Sequence, residues 1–325
     1  MGAKRVTTFI NRPTYNETEV YWKKYQGFFP DELCINENNL PTEEWLDWDD
    51  YKIHLDRMPV PDSKIKVIMI HGAGGNGRLL APYARMLQVH GYEVVSPDLP
   101  PYGLSSAKRQ KLIDYQQWIQ IITNLIERES ERDGKPIVLL GASIGGMLAY
   151  HTANMSKKVK GLIVTTFVDT GNPKVRDQIA PNKAISRLGK FTMDTFPYLL
   201  DSFRISVSRV SRMKLITNNA ELTQLIIKDP LAAGTKIPFR LLRTFLNMKL
   251  MVEPEHFDSC PILLIHPEKD PMTPFNLSEP FYNRLNCEKR CVILEGAGHF
   301  PIEQLGLEQM RKAVLSFIKE IEIDI

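Results

Sequence analysis

Cysteine is scarce in this chain, with four among 325 residues, at Cys34, Cys260, Cys287 and Cys291. Met1 to Arg12 lacks the apolar run and small-residue cleavage site of a secretory leader. Together these argue against a disulfide framework and predict free thiols in a cytoplasmic protein. Cys287 and Cys291 have no nearby histidine or second cysteine pair, so a zinc site is not expected. Long apolar runs are missing too: no stretch approaches the roughly 20 residues that cross a bilayer, which excludes a transmembrane class. Charge of one sign is equally short. Lys and Arg number 41 against 38 Asp and Glu, a formal net charge of +3, so nothing global points to nucleic acid or a strongly acidic partner.

What is present is ordinary for a soluble globular chain: 43% hydrophobic and 24% charged residues, enough for a large core in one domain with an insertion, or in two. Residues 1–64 are rich in aromatics and acids, as in Trp45-Leu46-Asp47-Trp48-Asp49-Asp50, and read as a packing arm and edge strands. At Ile65 the texture changes. An apolar run to Ile70 enters the glycine-rich His71-Gly72-Ala73-Gly74-Gly75-Asn76-Gly77, the pattern of a buried strand ending in a tight loop. Helical spacing over Ala81–His90 follows, then a strand over Tyr92–Ser96, a helix over Ile113–Ser130, a strand over Pro136–Leu140, a helix over Met147–Met155 and a strand over Val159–Phe167. Strands alternating with helices predict an α/β fold, a mostly parallel sheet covered on both faces.

Between Asn172 and His256 the alternation stops. Several amphipathic helices punctuated by prolines are expected, as a cap inserted in the core. The rhythm resumes with strands over Pro261–His266 and Arg290–Leu294 and helices over Leu277–Leu285 and Leu305–Ile321. The predicted organisation is an arm (1–64), a core in two pieces (65–171 and 257–325) and a helical cap (172–256).

Gly141-Ala142-Ser143-Ile144-Gly145-Gly146 lies between an expected strand and an expected helix, the context of a nucleophile elbow. A strand reversing sharply into a helix forces the central serine into a strained conformation, and Cβ atoms at the flanking positions would strike neighbouring backbone. A serine at its normal pKa is a weak nucleophile, so a base and an acid are required downstream. His299, in Gly296-Ala297-Gly298-His299-Phe300-Pro301, stands on a loop after a strand, at the sheet edge where open sheets build sites. Asp270, in His266-Pro267-Glu268-Lys269-Asp270-Pro271, follows another strand at the same edge and is the candidate acid. Glu268, on the same loop, and Asp169, after the strand that reaches Phe167, compete for that role.

Taken together, these residues resemble the α/β-hydrolase superfamily, and within it the monoacylglycerol lipase and lysophospholipase-like serine hydrolases, from about Lys64 onward. The resemblance rests on His71-Gly72-Ala73-Gly74, on Asp98 with Gly103 and Ser105, on the Ser143 segment, on Asp270 and on Gly298-His299. It implies an esterase acting on a lipid or small acyl ester through an acyl-enzyme on Ser143, with Asp270 and His299 completing a triad and the backbone N–H groups of Ala73 and Ile144 forming the oxyanion hole. Neither metal nor organic cofactor is implied. Gly75-Asn76-Gly77 and Ala142 depart from what is frequent in the monoglyceride branch.

Two other readings exist. Gly72, Gly74 and Gly77 satisfy G-x-G-x-x-G after a strand, with Asp98 ending the next one, a dinucleotide fingerprint; it would place Pro82 inside the helix, where proline costs about 3 kcal/mol. A non-catalytic scaffold on the same fold is the third class. Within 172–256, 14 Lys and Arg stand against 7 Asp and Glu. That basic excess suggests peripheral contact with anionic lipid through Phe203, Leu241, Phe245 and Met248 beside Arg204, Arg240 and Arg243.

Overall fold

The computed structural model describes residues 12–18 and 20–324; the first eleven residues of the expected arm lie outside them. Among the described residues nine strands form one sheet, eight of them in a row: β1 (Thr42–Trp48), β2 (Tyr51–Met58), β3 (Lys66–Ile70), β4 (Glu93–Pro97), β5 (Ile137–Gly141), β6 (Val159–Val164), β7 (Ile262–Pro267) and β8 (Lys289–Leu294), while the two-residue strand Ser106–Ala107 pairs with β2 off that row. Their spatial order is β1-β2-β4-β3-β5-β6-β7-β8. β2 is antiparallel to β1 and β4; from β4 to β8 every pairing is parallel. β3 to β6 are apolar and buried almost throughout, because helices cover both faces of a parallel sheet. Of the strands in the expected arm, β1 is an edge and β2 is flanked on both sides.

Among the described residues nine helices of seven or more residues follow in order: α1 (Ala81–Gln88), α2 (Tyr115–Asp133), α3 (Ile144–Met155), α4 (Pro173–Ile179), α5 (Lys183–Thr195), α6 (Ala220–Lys228), α7 (Phe239–Leu246), α8 (Phe275–Arg284) and α9 (Gln304–Ile323). α2 shows why its ends fall where they do. Asp114 and Gln117 close a capping box at its start, and Gly134, at φ 72°, ends it in the left-handed conformation. Pro82 occupies the first turn of α1, where a missing N–H costs nothing. α3 begins at Ile144 rather than Met147, since Gly145 and Gly146, poor helix formers in isolation, are held helical by the packing described below.

The segment from 172 to 256 contributes no strand to the large sheet. Besides α4–α7 it contains a small antiparallel ribbon, Arg204–Ser206 with Lys236–Pro238, in a region read from sequence as helices alone. Strands of three residues are too short to show a period of two. One continuous apolar core joins the sheet, its helices, the arm from Tyr15 and this segment.

Candidate active site

β5 ends at Gly141 and α3 starts at Ile144, leaving two residues to reverse the chain. Ser143 absorbs the turn at φ 54°, ψ −123°, a conformation costing about 1–3 kcal/mol unless its surroundings enforce it. They do. A Cβ on Gly141 would lie 2.3 Å from the Gly145 carbonyl oxygen, and one on Gly145 would lie 2.4 Å from that of Ile70, so β3, β5 and α3 close on one another only through glycine. The Ser143 N–H donates to Thr165 Oγ1 at 2.9 Å. β6 ends at Val164, three residues before the expected Phe167; the Thr165 N–H still donates to the Gly141 carbonyl at 3.1 Å while its hydroxyl supports the elbow.

Asp270 and His299 meet: Nδ1 of His299 lies 2.7 Å from Asp270 Oδ2. The same carboxylate accepts the Met272 and Thr273 N–H groups at 2.9 and 2.8 Å and the Thr273 hydroxyl at 2.8 Å. Burial alone would raise its pKa, but the His299 ring and the Thr273 donors override that and hold it well below the usual carboxylate range. The two competitors are engaged elsewhere: Asp169 accepts the Gly171 N–H and Glu268 the Gly296 N–H. Both hydrogen bonds of the His299 ring, to Asp270 and to Thr273 Oγ1 at 3.1 Å, are made at Nδ1, leaving Nε2 without one among the described residues. Thr273 lines the same cavity as Ser143.

The turn carrying Ala73 is closed by the Gly75 N–H donating to the Gly72 carbonyl at 3.1 Å. His71 braces it: Leu99 N–H donates to its Nε2 at 2.9 Å, and its Nδ1 lies 2.7 Å from the Gly72 oxygen. Burial holds that imidazole neutral, so Nδ1 carries the proton and donates. Ile144 is the first residue of α3 and has no preceding turn to donate to. Ala73, Ile144 and Ser143 line one cavity of about 200 Å³, walled otherwise mainly by apolar side chains such as Met193, Ile237 and Leu241 of the inserted segment.

The alternative uses of these residues meet obstacles. Gly74, at φ 73°, is roofed by Met213 Cε and Ala233, which a Cβ would approach to 2.4 and 2.9 Å, so the middle glycine of that fingerprint offers no open backbone to a pyrophosphate. Asp98 is fully buried and accepts the Gly77 and Leu104 N–H groups rather than facing a ribose. The surface expected on the segment is corrected as well: Leu241, Phe245 and Met248 are buried, and Arg240 and Arg243 are paired with Asp114 and Asp201. Phe203 and Arg204 are exposed. Among the described residues, Glu43, His54 and Asp56 form the one cluster of metal-ligating type, but Arg78 sits within it, 3.1 Å from Glu43 and 2.6 Å from Asp56, and its own charge balances the carboxylates.

Thr165 and Thr273 are the supporting residues that sequence reading did not single out; His71 stood in the His71-Gly72-Ala73-Gly74 run without an assigned role. Only Thr273 left a local signal, an Asp followed three residues later by a hydroxyl, the pattern of a side-chain-capped turn.

A strand–Ser143–helix elbow at the carboxyl edge of a sheet in this order defines an α/β hydrolase. The family model described as serine aminopeptidase, S33, matches residues 61–303, well over half of the chain, and the chain belongs to that family. Phospholipase YtpA of Bacillus subtilis is 23% identical over 77% of this chain and 93% of its own length. A pimeloyl-[acyl-carrier protein] methyl ester esterase of Neisseria meningitidis is 25% identical over 76% of this chain and 74% of its own. Among solved structures, a soluble variant of the monoglyceride lipase of Saccharomyces cerevisiae superposes with a TM-score of 0.71 at 17% identity, covering 90% of this chain and 98% of that one. The monoacylglycerol lipase of Paleococcus ferrophilus gives 0.68 at 20% identity, covering 83% and 99%. At those identities the structures establish the fold. Among the described residues no helix is long and apolar enough to cross a membrane.

Proposed function

We propose that the protein is a cytoplasmic serine hydrolase that cleaves carboxylic esters with an apolar acyl chain through an acyl-enzyme on Ser143. The observation that carries this reading is Ser143, held at φ 54° on the wall of an apolar cavity that Thr273 shares with the hydrogen-bonded pair Asp270–His299. Two relatives whose names denote cleavage of esters, the phospholipase and the methyl ester esterase, support the same reaction class.

In this mechanism substrate binding closes Ser143 Oγ onto the open Nε2 of His299. Oγ transfers its proton to Nε2 while bonding to the acyl carbon, and the carbonyl electrons move onto oxygen. That oxyanion accepts from the N–H groups of Ala73 and Ile144. Collapse of the tetrahedral species breaks the bond to the alcohol, which leaves with the proton from Nε2. Water then gives a proton to Nε2, attacks the acyl carbon and releases the acid, and Oγ recovers its proton. Asp270 holds Nδ1–H and balances the imidazolium throughout.

The segment 172–256 acts as a cap with two faces. Ile185, Ser186, Gly189, Lys190 and Met193 of α5 line the cavity, while Leu188 and Phe191 of the same helix, with Leu199 and Phe203 after it, are exposed. An apolar outer face in a segment with an excess of Lys and Arg suits the surface of an anionic lipid layer, from which the acyl chain would enter beneath α5.

The test compares purified protein with Ser143→Ala on p-nitrophenyl esters of graded acyl length and on a fluorophosphonate probe. Hydrolysis and labelling are expected in the parent and absent in the variant. A folded parent that neither hydrolyses nor labels overturns the reading.

A further inference from the structure

We propose that the N-terminal segment Tyr15–Tyr25 belongs to the active site, as a clamp that positions the Ala73 turn from behind, with Tyr15 as a positioning residue. This rests on the esterase reading above. The segment precedes residue 61, where the family match begins, so the clamp is an addition to the shared core.

The first grip is on Gly77, the last residue of the loop that carries Ala73. Tyr15 OH donates to Asp98 Oδ2 at 2.9 Å, and Asp98 Oδ1 accepts the Gly77 N–H at 2.7 Å while Oδ2 accepts that of Leu104 at 2.8 Å. Asp98 has no solvent exposure, and each of these donors replaces water that the carboxylate gave up.

The second grip is on Arg78, the next residue. Its guanidinium lies 4.7 Å from the centre of the Tyr15 ring and 5.0 Å from that of Trp22, and pairs with Asp56 and Glu43. Glu43 in turn accepts the Tyr15 backbone N–H at 2.9 Å, and Trp22 Nε1 donates to the Tyr15 carbonyl at 3.2 Å. Tyr15 is therefore held by its backbone while its ring and hydroxyl act on consecutive residues of the loop.

The third grip comes through the inserted segment. Tyr25 OH donates to Asp229 Oδ2, whose other oxygen accepts the Leu231 N–H at 2.8 Å. The Leu231 carbonyl accepts from Asn76 Nδ2 at 3.1 Å and from the Gly103 N–H at 2.9 Å, and Ala233 packs on Gly74. The arm thus reaches the Ala73–Gly74 turn from two directions, through Asp98–Gly77 and through Asp229–Leu231–Asn76. An arm that only covered core would need apolar contact. These contacts end on the Gly77 N–H, the Asn76 side chain and the Arg78 guanidinium, on the residues directly after the turn whose N–H must meet an oxyanion, and small misplacement of that turn weakens transition-state contact more than substrate binding.

The experiment uses the full chain with Tyr15→Phe and Tyr25→Phe, separately and together. The readouts are kcat and KM on p-nitrophenyl butyrate per fluorophosphonate-titrated site, melting temperature, and amide hydrogen exchange in peptides spanning 71–78. Tyr15→Phe is expected to lower kcat roughly 10-fold with KM changed less than about 2-fold, and to speed exchange at Gly77. Should it fail to fold, Tyr25→Phe asks the same of the loop through Asp229. Unchanged kcat per titrated site, or unchanged exchange in 71–78 whatever the activity, overturns the clamp. Loss of all hydrolysis and labelling in the parent sinks the esterase reading instead, and leaves the exchange result to decide the clamp.

Discussion

Asp270 Oδ2 and His299 Nδ1, 29 positions apart in the chain, stand 2.7 Å from each other at the ends of neighbouring strands β7 and β8. The carboxylate is buried and saturated by Met272, Thr273 and the ring, so it has no freedom to do anything but orient and balance the imidazole. Asp270→Asn keeps the shape but offers Nδ1 an amide in place of a carboxylate. The expected loss in kcat is about 10³- to 10⁴-fold with the fold intact, read by steady-state hydrolysis and circular dichroism; a loss below 10-fold would remove Asp270 from the mechanism.

Thr273 touches both partners, donating to Asp270 Oδ2 at 2.8 Å and lying 3.1 Å from His299 Nδ1. Its hydroxyl sets the angle at which the carboxylate meets the ring. Thr273→Val should lower kcat by roughly 10-fold, a net hydrogen bond's worth, and Thr273→Ser should restore most of it. Equal activity in all three proteins would make the hydroxyl a spectator.

The elbow's glycines differ in kind from others in the chain. A Cβ on Gly145 would meet the carbonyl oxygens of Ile70 and His71 at 2.4 and 2.7 Å, whereas one on Gly189, in α5, meets nothing within 4 Å. Gly145→Ala must push β3 away from α3 and is expected to destabilise by about 3 kcal/mol or more. Gly189→Ala should stabilise by about 0.5–1 kcal/mol through helix propensity. Urea unfolding of the two variants tests the contrast, which fails if they shift in the same direction.

His54 makes stability depend on pH in the alkaline direction. Burial alone would lower its pKa, but contacts with Asp98 at 3.2 Å and Glu43 at 2.8 Å, with Asp56 at 3.9 Å, lift it to about 10. Below about pH 6.5 both folded and unfolded chains carry the imidazolium and its contribution is complete. Above that the unfolded chain releases a proton that the folded chain keeps, so stability falls, by up to several kcal/mol, as pH rises toward 10. Asp98 and Glu43 are held below the usual carboxylate range despite burial, so their contribution disappears in acid, below about pH 4. Denaturation midpoints should therefore peak between these limits, and His54→Gln should flatten the alkaline slope. A parent equally stable at pH 6 and pH 9 contradicts the assignment.

The elbow was legible because glycine at 141 and 145 and serine at 143 record a close approach of backbone, and such contacts leave a local mark. β3, β5 and β7 were legible as apolar runs because both their faces are covered. Thr165 and Tyr15 were not, since each acts across 22 or more positions and one threonine or tyrosine looks like another in sequence. Part of the expected lipid face, Leu241, Phe245 and Met248, is buried for a related reason. Phe245 and Leu241 recur at helical spacing, but the spacing does not say which side of α7 meets the core; both are buried, while the apolar side of α5 is the one left outside.

That outer face yields the last prediction. Leu188 is 67% exposed and Phe191 66%, one helical turn apart on α5, with Leu199 and Phe203 close in sequence at 68% and 61%. Leaving four large apolar side chains in water gains nothing, whereas burying each in an acyl layer returns about 1.5–3 kcal/mol. Arg187 and Lys190 on the same helix are already engaged with Asp177 and Asp194, so free attraction to anionic headgroups must come from cations such as Arg209, which has no ion pair among the described residues. Two contributions, apolar insertion and charge, are separable. Leu188→Glu with Phe191→Glu should abolish sedimentation with phosphatidylserine-containing vesicles and lower hydrolysis of vesicle-borne ester, while hydrolysis of p-nitrophenyl butyrate in solution stays unchanged. Raising salt should weaken vesicle binding in part, and neutral vesicles should retain the apolar share. If the double variant sediments like the parent, the face does not dock on lipid, and an equal loss on the soluble ester would place these side chains in cap packing instead.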